Sequence, residues 1–330
     1  MAKASTTNVT GNREELSDII SLIEPEMTPV FSAGRKKTIR STYPEWQVDS
    51  MAEPSFDGVD EGKDVDSFDN KRANAARLGN YIQKFRESYQ VSDIQQLVDT
   101  AGVSDEFAYS QAKAVREMKR SAEAAICSSQ ERQAQGGTGT PYKVRGFLRW
   151  LGYNGTAGNN YPSDIPSDQQ LTNYVATGGT LVEADFNTVL QNLYNANGAP
   201  KGSYTFIGQS GARRDVTEFA RSTTGQNAYQ VTENASGKKL TFTCTLYEGD
   251  FGIVKMLPAS LFVDRTSGSA ALETASALLL DSAGYSIGTL KNEARNELED
   301  QGGGRRGFCE MICTLMVDSP KSHGFFYDEN

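Results

Sequence analysis

Long apolar runs are missing from this chain of 330 residues. A membrane-crossing helix needs roughly 18 or more consecutive apolar residues, and no such run occurs, so no membrane span is expected. The opening Met1-Ala2-Lys3-Ala4-Ser5-Thr6-Thr7-Asn8 leads into no apolar core of the secretory kind, and a chain kept in a cytoplasm is the expectation. Histidine is almost absent: His323 is the one imidazole, set among turn formers near the C-terminus, a poor place for a general base. Gly208-Gln209-Ser210-Gly211 follows a strand in the manner of a nucleophile elbow, but Gly211 comes one place too early for Gly-x-Ser-x-Gly. Basic charge is in deficit, with 33 Lys and Arg against 42 Asp and Glu, a net charge of -9 and pI near 4.9. That balance argues against a nucleic-acid reader whose affinity comes from phosphate neutralisation. Apolar residues reach only 38%, so much of the surface is polar loop.

Cysteine is scarce as well. Cys309 and Cys313 alternate with Met311 and Leu315 along the apolar run Phe308–Val317, which places them on one strand face. Together with Cys127 and Cys244 they read as buried thiols, since a zinc site would lack a histidine partner.

The most informative stretch runs from Ser41 to Ser92. It reads as two strands, Thr42–Ser50 and Leu78–Val91, carrying a long acidic loop. In the second strand Tyr81, Phe85, Tyr89 and Val91 share one face, and Ile82, Lys84 and Arg86 the other. Neither face is cleanly apolar, and a two-stranded arm with so little to bury is marginal alone in water. The expectation is that something outside the chain orders it, which points to assembly. The loop carries Glu53, Asp57, Asp60, Glu61, Asp64, Asp66 and Asp69 against Lys63. A calcium loop would need a third oxygen ligand, a turn glycine and a closing glutamate that Asp64–Asp69 does not supply, so a solvated or partner-facing acidic tip is preferred.

Around this arm the organisation is that of an elongated or two-domain body, since the chain exceeds what one compact core usually holds. Ile19, Ile20 and Ile23, with Leu16, fall at helical spacing on a polar lead that Pro25 stops. The clearest helix runs from Asp105 to Gln130, opened by Ser104. Phe107, Val115, Met118, Ala122 and Ile126 trace its buried stripe, and Lys113, Arg116, Lys119, Arg120 and Glu123 the solvated side. Residues 152–179 read as loop by turn chemistry. A capping box, Thr180-Leu181-Val182-Glu183, starts a second helix with Phe186, Val189, Leu190 and Leu193 inward. A strand at Tyr204–Gly208 and a helix at Ala212–Ala220 complete an α/β layer. Further strands are expected at Leu240–Leu246, Ile253–Leu257, Leu261–Val263 and Phe308–Val317. The segment after Gly208 lacks the Gly-Lys-Ser/Thr of a phosphate loop, and no carboxylate pair stands out as an acid–base couple.

The segments Asp18–Phe31, Glu45–Ser50, Asn80–Gln83 with Val91-Ser92, and the long helix resemble the major head proteins of tailed bacteriophages with the Hong Kong 97-type capsid fold. The resemblance covers residues 16–130 well and 180–330 by order of elements. It implies an α+β fold with an N-terminal arm (1–35), an extended β-arm or E-loop (36–92), a P-domain holding the spine helix (93–179), an A-domain of α/β type (180–290) and a return to the P-domain (291–330). It also implies no enzyme activity and no cofactor, and a shell of hexamers and pentamers around double-stranded DNA. The virion, assembled in the host cytoplasm, is the expected location. Copies of itself are the main partner, with a cement or decoration protein, a portal and a scaffold as further candidates. Packaged DNA is a non-specific neighbour and no membrane is involved. Inter-subunit contact candidates are Ile19, Ile20, Ile23, Trp46, Asp60, Glu61, Asp64, Asp66, Tyr81 and Phe85. The alternative is an encapsulin-like non-viral shell.

Overall fold

The computed structural model describes residues 28–52, 54–72, 74–98, 105–154, 159–177, 181–197, 203–219, 246–258, 277–299 and 301–329. Along the chain come α1 (Pro29–Ala33), β1 (Arg35–Thr38), β2 (Glu45–Val48), β3 (Ala76–Gly79), β4 (Gln83–Gln90), α2 (Asp93–Leu97) and α3 (Glu106–Cys127). Then follow α4 (Phe147–Trp150), β5 (Tyr174–Thr177), α5 (Glu183–Asn197), β6 (Ser203–Gly208) and α6 (Ser210–Phe219). The last third is β7 (Leu246–Gly249), β8 (Gly252–Pro258), β9 (Ala277–Leu280), β10 (Tyr285–Leu298), β11 (Arg306–Val317) and β12 (Gly324–Glu329).

The spine α3 forms because its apolar residues recur at helical spacing and its start is capped. Asp105 accepts hydrogen bonds from the Phe107 and Ala108 N–H groups, satisfying two of the free donors of the first turn. Phe107, Val115, Met118, Ala122 and Ile126 are all buried, as expected from the periodicity. Each such large side chain contributes about 1.5–3 kcal/mol when fully covered. Glu123, expected on the solvated side, is instead buried. Its two carboxylate oxygens accept the Val30 and Phe31 N–H groups at 2.8 and 2.7 Å, so the spine anchors the point where the leading residues join. Ile19, Ile20 and Ile23 lie outside the described residues.

The spine packs on a four-stranded sheet of order β1-β10-β11-β4, parallel between β1 and β10 and otherwise antiparallel. Alternation along β11 turns Cys309, Met311, Cys313 and Leu315 to the spine, and all four are buried. A second sheet of six strands, β5-β12-β9-β6-β8-β7, carries α5 and α6 over one face. Phe186, Leu190, Val216, Phe206 and Phe326 fill that layer. Ile207, Leu278, Leu280 and Phe325 belong to the spine core instead, because successive strand residues point to opposite faces.

Two sequence expectations change. The strand expected at Leu78–Val91 is two strands: β3 pairs with β2 in a separate two-stranded sheet, while β4 pairs with β11. The break falls at Asn80–Ile82. The lower half of the presumed arm is thus ordered by this chain's own sheet, not by a neighbour. The tail also runs differently from the expected return at 291–330. The chain re-enters the spine's sheet at Tyr285, and β12 crosses back to the six-stranded sheet between β5 and β9. Of the expected strand Leu240–Leu246 only Leu246, at the start of β7, is described, and Leu261–Val263 lies outside the described residues.

Candidate assembly surface

Between β2 and β3, residues 49–75 leave the body of the subunit. An extended chain advances ~3.3 Å per residue, so this segment, doubled back on itself, reaches at most about 45 Å. A turn at Asp60–Lys63, closed by the Lys63 N–H to the Asp60 carbonyl at 3.2 Å, reverses it. Gly62 holds φ +80 there, the left-handed position a turn of this kind gives to glycine. Met51, Phe56, Val59, Val65 and Phe68 are 99, 98, 79, 68 and 89% exposed. Isolated apolar residues at a surface are ordinary, but five uncovered on one acidic projection are an unusual concentration. Asp60, Glu61, Asp64 and Asp66 are exposed beside them. The structure therefore adds an apolar component to a tip that the sequence shows chiefly as charge.

The root of the projection is rigid, and residues not singled out from the sequence make it so. Asn80 is fully buried. Its Nδ2 donates to the Leu315 and Arg145 carbonyls at 2.8 and 3.1 Å, and its Oδ1 accepts the Arg145 N–H at 2.8 Å. The Arg145 guanidinium, itself buried, donates to both Asp164 oxygens at 2.9 Å and to Glu131 at 2.7 Å, and lies 4.6 Å from the Trp150 ring. Burial alone would raise the Asp164 pKa, but the hydrogen bonds and charge of Arg145, with Arg132 at 3.3 Å, hold it below the usual carboxylate value. Asp164 comes from the stretch 152–179 that reads as polar loop, Glu131 and Arg145 from the segment between the spine and α4, and their polarity is internal wiring. Gly79 admits the Tyr43 ring so closely that a Cβ there would stand 2.6 Å from it.

Trp46, Tyr81 and Phe85 are turned toward the subunit itself. The Trp46 indole donates to the Val317 carbonyl at 2.9 Å and sits 5.7 Å from the Trp150 ring. Tyr81 packs between Tyr43 and Tyr142. Phe85 is buried in the spine core, which removes it from the set of residues that can meet a neighbour.

The outer face of the four-stranded sheet, away from the spine, carries a contrasting charge. Register places Lys84 and Arg86 of β4 opposite Ile312 and Glu310 of β11, and Ile312 opposite Lys291 of β10. Glu310 is paired with Lys84 at 2.8 Å, Arg86 at 3.2 Å and Lys291. Hydrogen bonds from Lys291 and Lys84 draw its pKa down to about 2. Beside this cluster a groove of about 780 Å³ runs between Ile82 and Ile312 and the loop Gln135–Tyr142. Among the described residues no group of three or more His, Cys, Asp or Glu side chains could hold a metal ion, and no described helix is long and apolar enough to cross a membrane.

No curated protein matches the chain in sequence. In structure it resembles the capsid asymmetric unit of cyanophage A-1(L), with 12% identity, 98% of each chain covered and a TM-score of 0.63. It resembles the capsid of a native gene transfer agent particle at 11% identity, again over 98% of each chain, with a TM-score of 0.60. An encapsulin from Synechococcus elongatus follows at 12% identity and TM-score 0.54, over 99% of this chain and 96% of the other. At these identities the likeness is one of fold, mixed α/β. A family model described as SU10 major capsid protein matches residues 3–329. Since that match runs through nearly the whole chain, the protein belongs to the SU10 major capsid protein family and serves as a structural building block of a bacteriophage capsid.

Proposed function

We propose that the chain builds its shell in the manner of the Hong Kong 97-type fold, as hexamers and pentamers closing an icosahedral head around double-stranded DNA. In this reading α3 and the four-stranded sheet form the P-domain, and the six-stranded sheet with α5 and α6 the A-domain. Residues 49–75 are the outer part of the E-loop, and the residues before Thr28 are the N-terminal arm. The observation that carries it is the projection itself: five large apolar side chains along it have no cover within the subunit, while Asn80 and Arg145 fix its root. An apolar, acidic tip on a rigid base suits capture by a second copy. Ile19, Ile20 and Ile23 would meet a neighbour likewise, because a short amphipathic segment does not hold a helix alone.

A net charge of -9 fits a container that does not grip its polyanionic cargo. Assembly in the host cytoplasm, with a scaffold, a portal and a cement or decoration protein as further partners, belongs to the same reading. The fold likeness to an encapsulin leaves a non-viral shell as the rival, and the family match favours the phage head. Replacing residues 54–69 by a short Gly-Ser turn tests the reading. The expected product has wild-type circular dichroism but sediments as small species, whereas shells indistinguishable from wild type would refute a role for the projection.

A further inference from the structure

We propose that His323 is a proton-sensitive latch between the two sheets: its neutral imidazole holds the turn after β9 against the connection from β11 to β12, and its protonation in mild acid frees the two sheets to change their mutual setting. The latch is a property of the single subunit, so it goes beyond the assembly reading and its test does not require shells to form.

The chain passes between the sheets after β9, where residues 281–284 lead into β10, and again after β11, where residues 318–323 lead into β12. These two passages are tied side by side. The Asp318 N–H donates to the Gly284 carbonyl at 2.8 Å, and the Asp281 N–H donates to Nδ1 of His323 at 3.1 Å. The imidazole is fully buried. The Phe147 and Tyr285 rings meet it edge to face, with centroids at 5.5 and 5.8 Å. Gly284 closes the other side, since a Cβ there would stand 2.8 Å from Nε2.

An imidazole that accepts a hydrogen bond at Nδ1 is neutral, and protonation turns that acceptor into a second donor. Nδ1–H would then face the Asp281 N–H, donor against donor, and a charge would enter a buried site walled by two aromatic rings. Histidine is the side chain whose ordinary titration, near about pH 6.5, falls in the mildly acidic range. A junction that requires the neutral form is favoured above that range and is lost as pH falls through it. The ionisable groups on the surrounding elements are Asp281, whose carboxylate accepts the Ala283 N–H at 2.9 Å, and Asp318, which is engaged by Arg35. Lys321 lies on the turn just before the imidazole, and Arg149 of α4 is paired with Glu131 at 2.7 Å. Both carboxylates thus have other partners, while α5 meets the passage at Gly324 through Val189 and Leu193. The effect of opening extends to the arm root, because the hydroxyl of Tyr285 donates to the Val30 carbonyl at 3.0 Å.

Amide hydrogen exchange of the full-length chain, read by mass spectrometry as protection relative to the unfolded chain, tests the latch. Between about pH 7.5 and about pH 5.5, either side of the ordinary imidazole value, peptides covering 277–286 and 318–329 should lose protection by roughly tenfold. Peptides from the spine should keep theirs. His323→Asn offers an acceptor close to the Nδ1 position and does not titrate, so its two junction peptides should stay equally protected at both pH values. Asp281→Asn should still show the wild-type loss. Gly284→Ala, which drives a Cβ onto the imidazole, should show low junction protection already at the higher pH and little further change. It decides the matter if His323→Asn fails to fold, a wild-type profile counting against the latch. Junction protection that ignores pH in the wild type, a loss shared by the spine, a loss that persists in His323→Asn or one that vanishes in Asp281→Asn overturns the proposal.

Discussion

The Asn80 side chain and the Arg145 backbone satisfy each other: Oδ1 of Asn80 accepts the Arg145 N–H at 2.8 Å while its Nδ2 donates to the Arg145 carbonyl at 3.1 Å. A third bond, to the Leu315 carbonyl, ties the same side chain to β11. One buried amide thereby joins the arm, the segment after the spine and the central sheet.

Asn80→Ala is expected to strand three buried backbone groups. An unmade buried hydrogen bond costs about 1–3 kcal/mol, and part of the loss is recovered by relaxation, so a destabilisation of roughly 2–4 kcal/mol should appear in urea unfolding of the subunit. Asn80→Asp retains the acceptor and loses both donor contacts. Unchanged midpoints for both variants would show that the root is not held this way.

Asp164 sets a pH dependence with a definite sign. Its folded pKa lies below the usual value, so the folded state favours its ionised form. The stabilisation is present above the unfolded carboxylate pKa of about 4 and is lost as pH falls through the lowered folded value. Asp164→Asn should lower stability at neutral pH and flatten this part of the acid limb. Arg145→Met, which leaves Asp164 with Arg132 and Glu131 with Arg149 as their remaining cations, should lower stability by less than the ~3–5 kcal/mol of breaking a fully buried pair. Denaturation midpoints between pH 2 and 7, roughly the window in which carboxylates titrate, provide the check.

Glu123 has the opposite sign. Burial raises its pKa against the pull of the Phe31 and Val30 N–H groups, so the protonated form is favoured in the folded state relative to the unfolded chain. Its contribution is greatest below the usual glutamate value and declines as pH rises through the raised one. Glu123→Gln should abolish that slope. It should also weaken the hold on Val30 or Phe31, read as faster exchange of those two amide protons. A pH profile that keeps the wild-type slope would assign it to another group.

Val115 is 6% exposed on the spine's buried stripe. Val115→Asp places an unpaired carboxylate in the core and should abolish soluble folding, not merely assembly. A soluble, helical monomer of this variant would contradict the placement of the spine.

The spine was legible in the sequence because a 3.6-residue period persists through its whole length, although its cap is Asp105 and not the Ser104 that the sequence suggests. The inward face of α5 was legible for the same reason, although Thr180 of its expected capping box lies outside the described residues and Glu183 accepts a hydrogen bond from the Tyr247 hydroxyl. β10 was not legible. Its first four residues are buried on both faces, and register shifts at Thr289/Lys291 and Lys291/Ala294 break the alternation of the polar half. β9 is four consecutive buried residues with no period to read. The network of Asn80, Glu131, Arg145 and Asp164 escaped because its partners meet only through tertiary packing, and local pattern reports turn chemistry alone. The exposed Phe56 and Phe68 were visible as residues, but their lack of cover is a property of the fold.

The most direct test of assembly through the arm is a cryo-electron microscopy reconstruction of particles formed by the full wild-type chain. The prediction is a closed shell in which density for residues 49–75 lies on an adjacent subunit. A chain that stays monomeric at high concentration, or a shell whose arm folds back on its own subunit, would contradict it.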